Sequence, residues 1–119
     1  MISPESIDGA FTPVTDPAVA SVELDGEAVL YHERLNTVHV LNPTATVIWK
    51  CLDGFTNLDG LSTDLAAAFS VDVGMVHTDV LEAVRDFGRQ GLLEAVEPDP
   101  EALAANVLAE VHPSELPDD

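Results

Sequence analysis

Thr37-Val38-His39-Val40-Leu41-Asn42-Pro43-Thr44-Ala45-Thr46-Val47-Ile48-Trp49 changes its hydrophobic period midway. Up to Leu41 the run is β-branched and apolar, which suits a strand. From Ala45 onward the apolar residues Ala45, Ile48, Trp49 and Leu52 recur at helical spacing. Between the two lies Asn42-Pro43. Asn is a good N-cap, and Pro fits the first helical position, where its missing N–H costs nothing. The stretch therefore predicts a strand that hands over to a helix, which Asp53-Gly54 ends.

Upstream, Val19–Leu24 and Glu27–His32 are short apolar runs separated by Asp25-Gly26. An Asp-Gly pair suits a two-residue type I′ hairpin turn, because both positions need positive φ. That loop sets Val22 opposite Val29 and Leu24 opposite Glu27. The third run, Thr37–Leu41, follows the turn Arg34-Leu35-Asn36. Downstream, a second helix is expected from a Thr56 cap, with the stripe Leu58, Leu61, Leu65 and Phe69. Asp72 can cap a third helix that runs to about Gln90 and ends at Gly91, its core stripe being Val73, Val76, Val80, Val84 and Phe87. Leu92–Val96 is expected to pack on the end of this helix or to form a last short strand. The reading is an α+β, winged helix-turn-helix-like domain: a three-stranded antiparallel sheet followed by three α-helices.

The chain has 119 residues, and its mean hydropathy of +0.16 is consistent with a packed core. Four basic against 22 acidic residues give a formal charge of −18. All four bases lie between Arg34 and Arg89, and seven of the eight prolines lie outside residues 19–96. On these grounds residues 1–18 are expected to be an N-terminal tail and 19–96 the domain. Residues 97–119 are expected to be an acidic, proline-containing tail with at most one short helix, over Pro100–Val111. A chain this acidic repels phosphate backbones and anionic lipid. Nucleic acid and membrane are thus excluded as partners. No apolar run approaches a membrane span, and no basic-then-apolar leader opens the sequence, so a cytoplasmic protein is expected.

No catalytic constellation stands out. His32 and His39 fall on neighbouring strands, but two imidazoles alone rarely hold a metal. Cys51 is adjacent to Lys50 without sharing its helix face, and reads as a partly buried filler rather than a nucleophile. No nucleophile elbow and no glycine-rich phosphate loop are present. The expectation is a protein with no cofactor and no enzymatic activity. The alternative for the helix-turn-helix, a DNA-binding transcriptional regulator, meets a third helix offering His77, Asp79, Glu82, Arg85, Asp86 and Arg89, a mixed surface unlike a major-groove reader.

Several pieces together resemble the PqqD-like family: Val29-Leu30-Tyr31, Val38-His39-Val40-Leu41-Asn42-Pro43-Thr44-Ala45, Ile48-Trp49, Asp53-Gly54, Asp79-Val80 and Gly91-Leu92-Leu93. The resemblance covers roughly Val19 to Glu94. It implies a recognition element for ribosomally made, post-translationally modified peptides. Such an element binds the leader of a precursor peptide and delivers it to a modifying enzyme, such as a radical SAM maturase or a leader peptidase. The pathways implied include pyrroloquinoline quinone and lasso-peptide biosynthesis. In this family the leader adds as a strand beside the third β-strand, in a groove walled by the third helix.

The residues agree with that mode. A strand followed directly by a helix can leave one edge unpaired, and an open edge is a template for another chain. The peptide-binding residues expected are Thr37, Val38, His39, Val40 and Leu41 on the strand, with His77, Leu81, Val84, Arg85 and Gly88 on the helix. The opposite flank of that helix, with Asp79, Ala83 and Asp86, is the second choice.

Overall fold

Asp25 and Gly26 both take positive φ, 54° and 82°, and close the first hairpin. In the computed structural model, which describes residues 1–104, β1 (Val19–Leu24) pairs antiparallel with β2 (Glu27–His32), and β2 with β3 (Thr37–Val40). The strand order is β1-β2-β3, and Val22 stands opposite Val29 and Leu24 opposite Glu27, as the Asp-Gly turn requires. Then come α1 (Pro43–Lys50), α2 (Leu58–Phe69), α3 (Val73–Arg89) and a short α4 (Pro100–Ala104). The expected α+β, winged-helix-like order is thus present.

Side-chain caps set the helix starts. Asn42 Oδ1 accepts the Ala45 N–H at 2.8 Å, with Pro43 at the first position. Asp72 Oδ2 accepts the Met75 N–H at 3.1 Å. The α2 cap is Asn57, which accepts the Gly60 N–H at 2.8 Å, not Thr56. Thr56 is instead held one turn earlier by both Asp53 carboxylate oxygens. Asn outranks Thr as an N-cap, so the helix begins one residue later. Gly91, at φ +78°, ends the α3 segment.

Strand alternation gives the sheet one buried face. Ala28, Leu30 and His32 of β2 and Thr37 and His39 of β3 turn inward onto the helices. His32 faces Thr37 and His39 faces Leu30, so the two histidines are not opposite each other. Among the described residues no group of His, Cys, Asp or Glu could hold a metal ion. The core joins this face to Ile48 of α1, Leu58 and Leu61 of α2, and Val80, Val84 and Phe87 of α3. Trp49 sits edge-on to Phe87, ring centroids 5.2 Å apart.

One side chain joins sheet and helix layers. The Ala28 N–H would continue the ladder to the Leu41 carbonyl. It donates instead to Thr46 Oγ1 at 2.8 Å, and that hydroxyl points at the Leu41 oxygen, 3.4 Å away. Thr46 is 2 % exposed. A helix side chain therefore completes the end of the strand pairing and pins α1 there.

Residues 1–18 are not a tail. After one 3₁₀ turn at Pro4–Ser6, Ile7 enters the core at 0 % exposure, and Pro13 is also fully buried. Arg85 Nε and Nη2 both donate to the Ile7 carbonyl, at 3.1 and 2.8 Å. The Phe11 and Gly9 carbonyls accept the Leu58 and Asp59 N–H groups, which no helix interior could satisfy. Ile2 and Thr15 make isolated bridges to Val96 and Leu93. The expected closing strand is therefore reduced to these bridges, because positive φ at Gly91 and Ala95 (+63°) breaks the extended run. At the other end, Pro100–Ala104 is helical and places Leu103 beside Gly91. The remainder of the expected helix to Val111, and of the acidic tail, lies outside the described residues.

Two substitutions test this arrangement. Thr46→Val keeps the shape but orphans the buried Ala28 N–H, and should destabilise the domain by about 1–3 kcal/mol in chemical denaturation. Ile7→Ala should cost about 2–5 kcal/mol. A change within about 0.5 kcal/mol, as at an ordinary surface site, would mean that residues 1–18 are dispensable.

Candidate functional site

Among the described residues, strand β3 has β2 on one side and no strand on the other. The Leu41 N–H donates to the Ala28 carbonyl at 2.8 Å, which fixes the phase of the ladder. Alternation then points the backbone groups of Thr37 and His39 toward β2, and those of Val38 and Val40 toward the open edge. Both outward-facing residues are thus valines of one parity. The Val40 side chain is 69 % exposed.

A groove runs along this edge, with α3 as its far wall. One part, about 470 Å³, lies among Val40, Leu41, Asn42, Thr44 and Ala45 on one side and Asp79, Glu82, Ala83 and Asp86 on the other, with Phe87 at its floor. It continues for about 160 Å³ past His39 and Asp86 to Gln90 and Leu92. Three carboxylates rim it. Three of the four basic residues are committed elsewhere, Arg34 to Asp16 and Lys50 to Glu23, each at 2.9 Å, and Arg85 to the Ile7 carbonyl, while Arg89 pairs with Glu5 at 3.3 Å and also lies 3.8 Å from Asp86 on the rim. The groove consequently carries a negative field.

This geometry divides the residues expected from the sequence. Val38 and Val40 lie on the open edge, and His39 and Leu41 line the groove. The Thr37 side chain is buried and hydrogen-bonded to His39 Nε2 at 3.0 Å. On α3 the first-choice flank is turned away. His77 meets Asp59 of α2 at 3.0 Å, Arg85 clasps Ile7, and a Cβ at Gly88 would strike Val96. Leu81 packs against the core and Val84 lies within it. The N-terminal segment and the closing segment cover that flank, so the groove wall is the second-choice flank, Asp79, Ala83 and Asp86. Glu82, read from the sequence as a groove-edge acid with Asp79 and Asp86, lines it too, and Asn42, Thr44 and Gln90 join it unforeseen. The same acidic flank is what α3 presents outward, so the DNA-reading alternative has no cationic surface to use.

His39 is the titratable group at the groove floor. Burial pushes its pKa below the ordinary 6.5, the Asp86 carboxylate partly offsets this, and nearby His32 adds to the lowering. His32 itself accepts the Leu35 N–H on Nδ1 at 3.2 Å, while its buried Nε2 lies 3.5 Å from Asp16 Oδ2 and has no hydrogen-bond partner among the described residues.

An open strand edge beside a groove is the geometry that peptide binding by strand addition requires. The family model for coenzyme PQQ synthesis protein D (PqqD) matches residues 27–93, and the chain belongs to that family. Two solved structures are similar. One, titled TbiB1 in complex with the TbiA(beta) leader peptide, has a TM-score of 0.62 and 28 % identity over 69 % of this chain and 95 % of that one. The other is the PqqD truncation of Methylobacterium extorquens PqqCD, described as a stand-alone RiPP recognition element. Its TM-score is 0.66 and its identity 18 %, over 76 % of this chain and 97 % of that one. Comparison with curated proteins gives no match. Among the described residues, no helix is long and apolar enough to cross a membrane.

The depressed His39 pKa has a definite sign. The unfolded chain takes up a proton near pH 6.5 while the folded chain resists it, so stability is complete above 6.5 and declines as pH falls toward the lower folded pKa. Denaturation midpoints should therefore fall on acidification below about 6.5, and His39→Gln should remove that part of the slope. An unchanged slope in the variant would assign the acid sensitivity to other groups.

Proposed function

We propose that this chain binds the leader segment of a ribosomally synthesised precursor peptide as a fourth strand on β3, and presents it to a modifying enzyme. Membership of the PqqD family and the leader-bound structure of TbiB1 support the ligand class. The observation that carries the binding mode is the unpaired edge of β3, where the backbone groups of Val38 and Val40 point outward and Val40 lines the groove. Main-chain bonds to an added strand contribute about 0.5–1.5 kcal/mol each. They are tolerant of sequence, so side chains in the groove set the choice of partner. With Asp79, Glu82 and Asp86 on its rim, the groove favours a leader carrying Lys or Arg, an attraction that acts mainly on the association rate. The module performs no chemistry of its own in this reading. The enzyme it serves is of the radical SAM maturase or leader peptidase kind, in a pathway such as that of pyrroloquinoline quinone or a lasso peptide.

The test is Val40→Pro against a synthetic leader peptide first shown to bind the parent chain. Proline is tolerated where an edge N–H faces solvent, so the fold should survive. Binding followed by fluorescence anisotropy should weaken about tenfold or more, a loss of at least ~1.4 kcal/mol. Val40→Ala, which keeps the N–H, should bind much more like the parent. A folded Val40→Pro protein with parental affinity would overturn strand addition at this edge.

A further inference from the structure

Two strands of the sheet carry their polar and apolar residues the wrong way round. A sheet with one wet face ordinarily alternates apolar-in and polar-out. In β3, however, Thr37 and His39 turn inward while Val38 and Val40 turn outward. In β1 the inward positions, opposite Ala28 and Leu30, are Glu23 and Ser21, and the outward ones include Val22 and Leu24. Residues directly opposite in an antiparallel pair share a face, so the register assembles the outer face in rows. Val22, Val29 and Val40 form one row across all three strands, and Tyr31 with Val38 forms the next. Leu24 stands at the hairpin end beside Glu27. Val22 and Leu24 are each 60 % exposed, and nothing among the described residues covers them. The Tyr31 hydroxyl donates to Asn36 Oδ1 at 2.9 Å, which ties down the far end of the ring. The three strands contain no Lys or Arg; acids border the face, with Asp25 and Glu27 at the hairpin end and Glu33 two residues past Tyr31.

We infer that this outer face is the docking surface for the modifying enzyme, whose matching surface is apolar at its centre and carries Lys or Arg around it. The inference rests on the delivery reading above and adds the place of contact. A contiguous apolar patch with a polar border marks a protein–protein site rather than a solvated face. Charge narrows the partner. A second copy of this chain carries the same −18 and is repelled, as are nucleic acid and anionic lipid, whereas a surface with a basic rim is attracted. Tyr31, tethered and half-buried, is the kind of side chain on which such interfaces centre. Position supplies the second argument. Val38 and Val40 belong both to the outer face and to the open edge, so a strand added to β3 extends that face. The inward side chains of the added strand meet the groove, and its outward ones continue the valine rows. An enzyme lying across the outer face is therefore set against the loaded leader while α3 stays on the other side of the sheet.

The experiment uses the full chain, the same synthetic leader, and a purified radical SAM maturase or leader peptidase first shown to bind the parent chain. Val22→Lys and Leu24→Lys each remove apolar area and set a like charge against the partner's basic rim. Lys is tolerated on an exposed edge strand, and thermal melts report that each variant is folded. Enzyme affinity should fall about tenfold or more in both. Leader affinity should stay within about twofold of the parent, as for surface changes away from a site, because neither residue lies on β3. If a Lys variant does not fold, Val22→Thr, which keeps the β-branched shape, decides by a several-fold loss. Parental enzyme affinity in the folded variants would overturn the docking face. So would a parent chain that sediments as a dimer and becomes monomeric on Val22→Lys, since a second copy would then cover the face. Lost leader affinity in Val40→Pro beside parental enzyme affinity in the Lys variants removes the docking face and leaves strand addition. Parental leader affinity in Val40→Pro removes strand addition, and the Lys variants still decide the docking face.

Discussion

The Thr46 hydroxyl sits between the Ala28 N–H and the Leu41 carbonyl, where the β2–β3 ladder would otherwise close on itself. Its placement decides three things together. The strand pairing stops at Leu41, so the chain turns out of the sheet. Helix α1 begins at once, because the Asn42 cap and Pro43 follow directly. And α1 is fixed across the end of the sheet rather than along the outer edge of β3. That edge is left unpaired and facing α3. An interior hydroxyl is tolerated here because both of its hydrogen-bonding roles are used; a methyl in its place would leave a buried donor unsatisfied.

An open edge is ordinarily a liability, since any extended chain can add to it. Here the edge is short, four residues in β3, and it lies in a groove rimmed by Asp79, Glu82 and Asp86. A second copy of the same acidic chain is repelled, and so are acidic segments of other proteins. The charge therefore filters what the backbone would accept without discrimination. It also depends on the internal commitments of the cations. Were Arg85 and Arg89 not engaged by Ile7 and Glu5, α3 would carry a mixed surface like the one its sequence displays.

The sheet, the first hairpin register and the handover to α1 were legible because each rests on local rules: Asp-Gly for positive φ, alternation for the strands, Asn-Pro for the helix start. The N-terminal segment was not, because its buried residues carry no period. Ile7 and Pro13 are single side chains in an irregular path, and composition placed them with the prolines and acids of a tail. That omission caused the next. A helical wheel of α3 has two flanks beside its core stripe, and the choice between them turns on what covers one of them. The segment carrying Ile7 and the Gly88–Val96 contact cover the His77–Arg85–Gly88 flank, and neither feature has a signature in the α3 sequence. Arg85 looked like a rim charge; its guanidinium holds a backbone carbonyl.

The family match begins at residue 27, yet the packing shows why the chain before it matters to the site. By burying Ile7 against Gly88 and taking the free N–H groups at the start of α2, the first residues hold α3 from behind. Strand addition needs a rigid wall at a set distance from β3, since main-chain bonds tolerate little misplacement. A helix held only on its core stripe could rock toward or away from the edge. One clamped on its rear flank by two hydrogen bonds from Arg85 presents Asp79, Ala83 and Asp86 at a constant spacing. On the strand-addition reading proposed above, the N-terminal segment acts on binding through the geometry of the wall, lowering the ordering cost that a mobile groove would impose on an incoming strand.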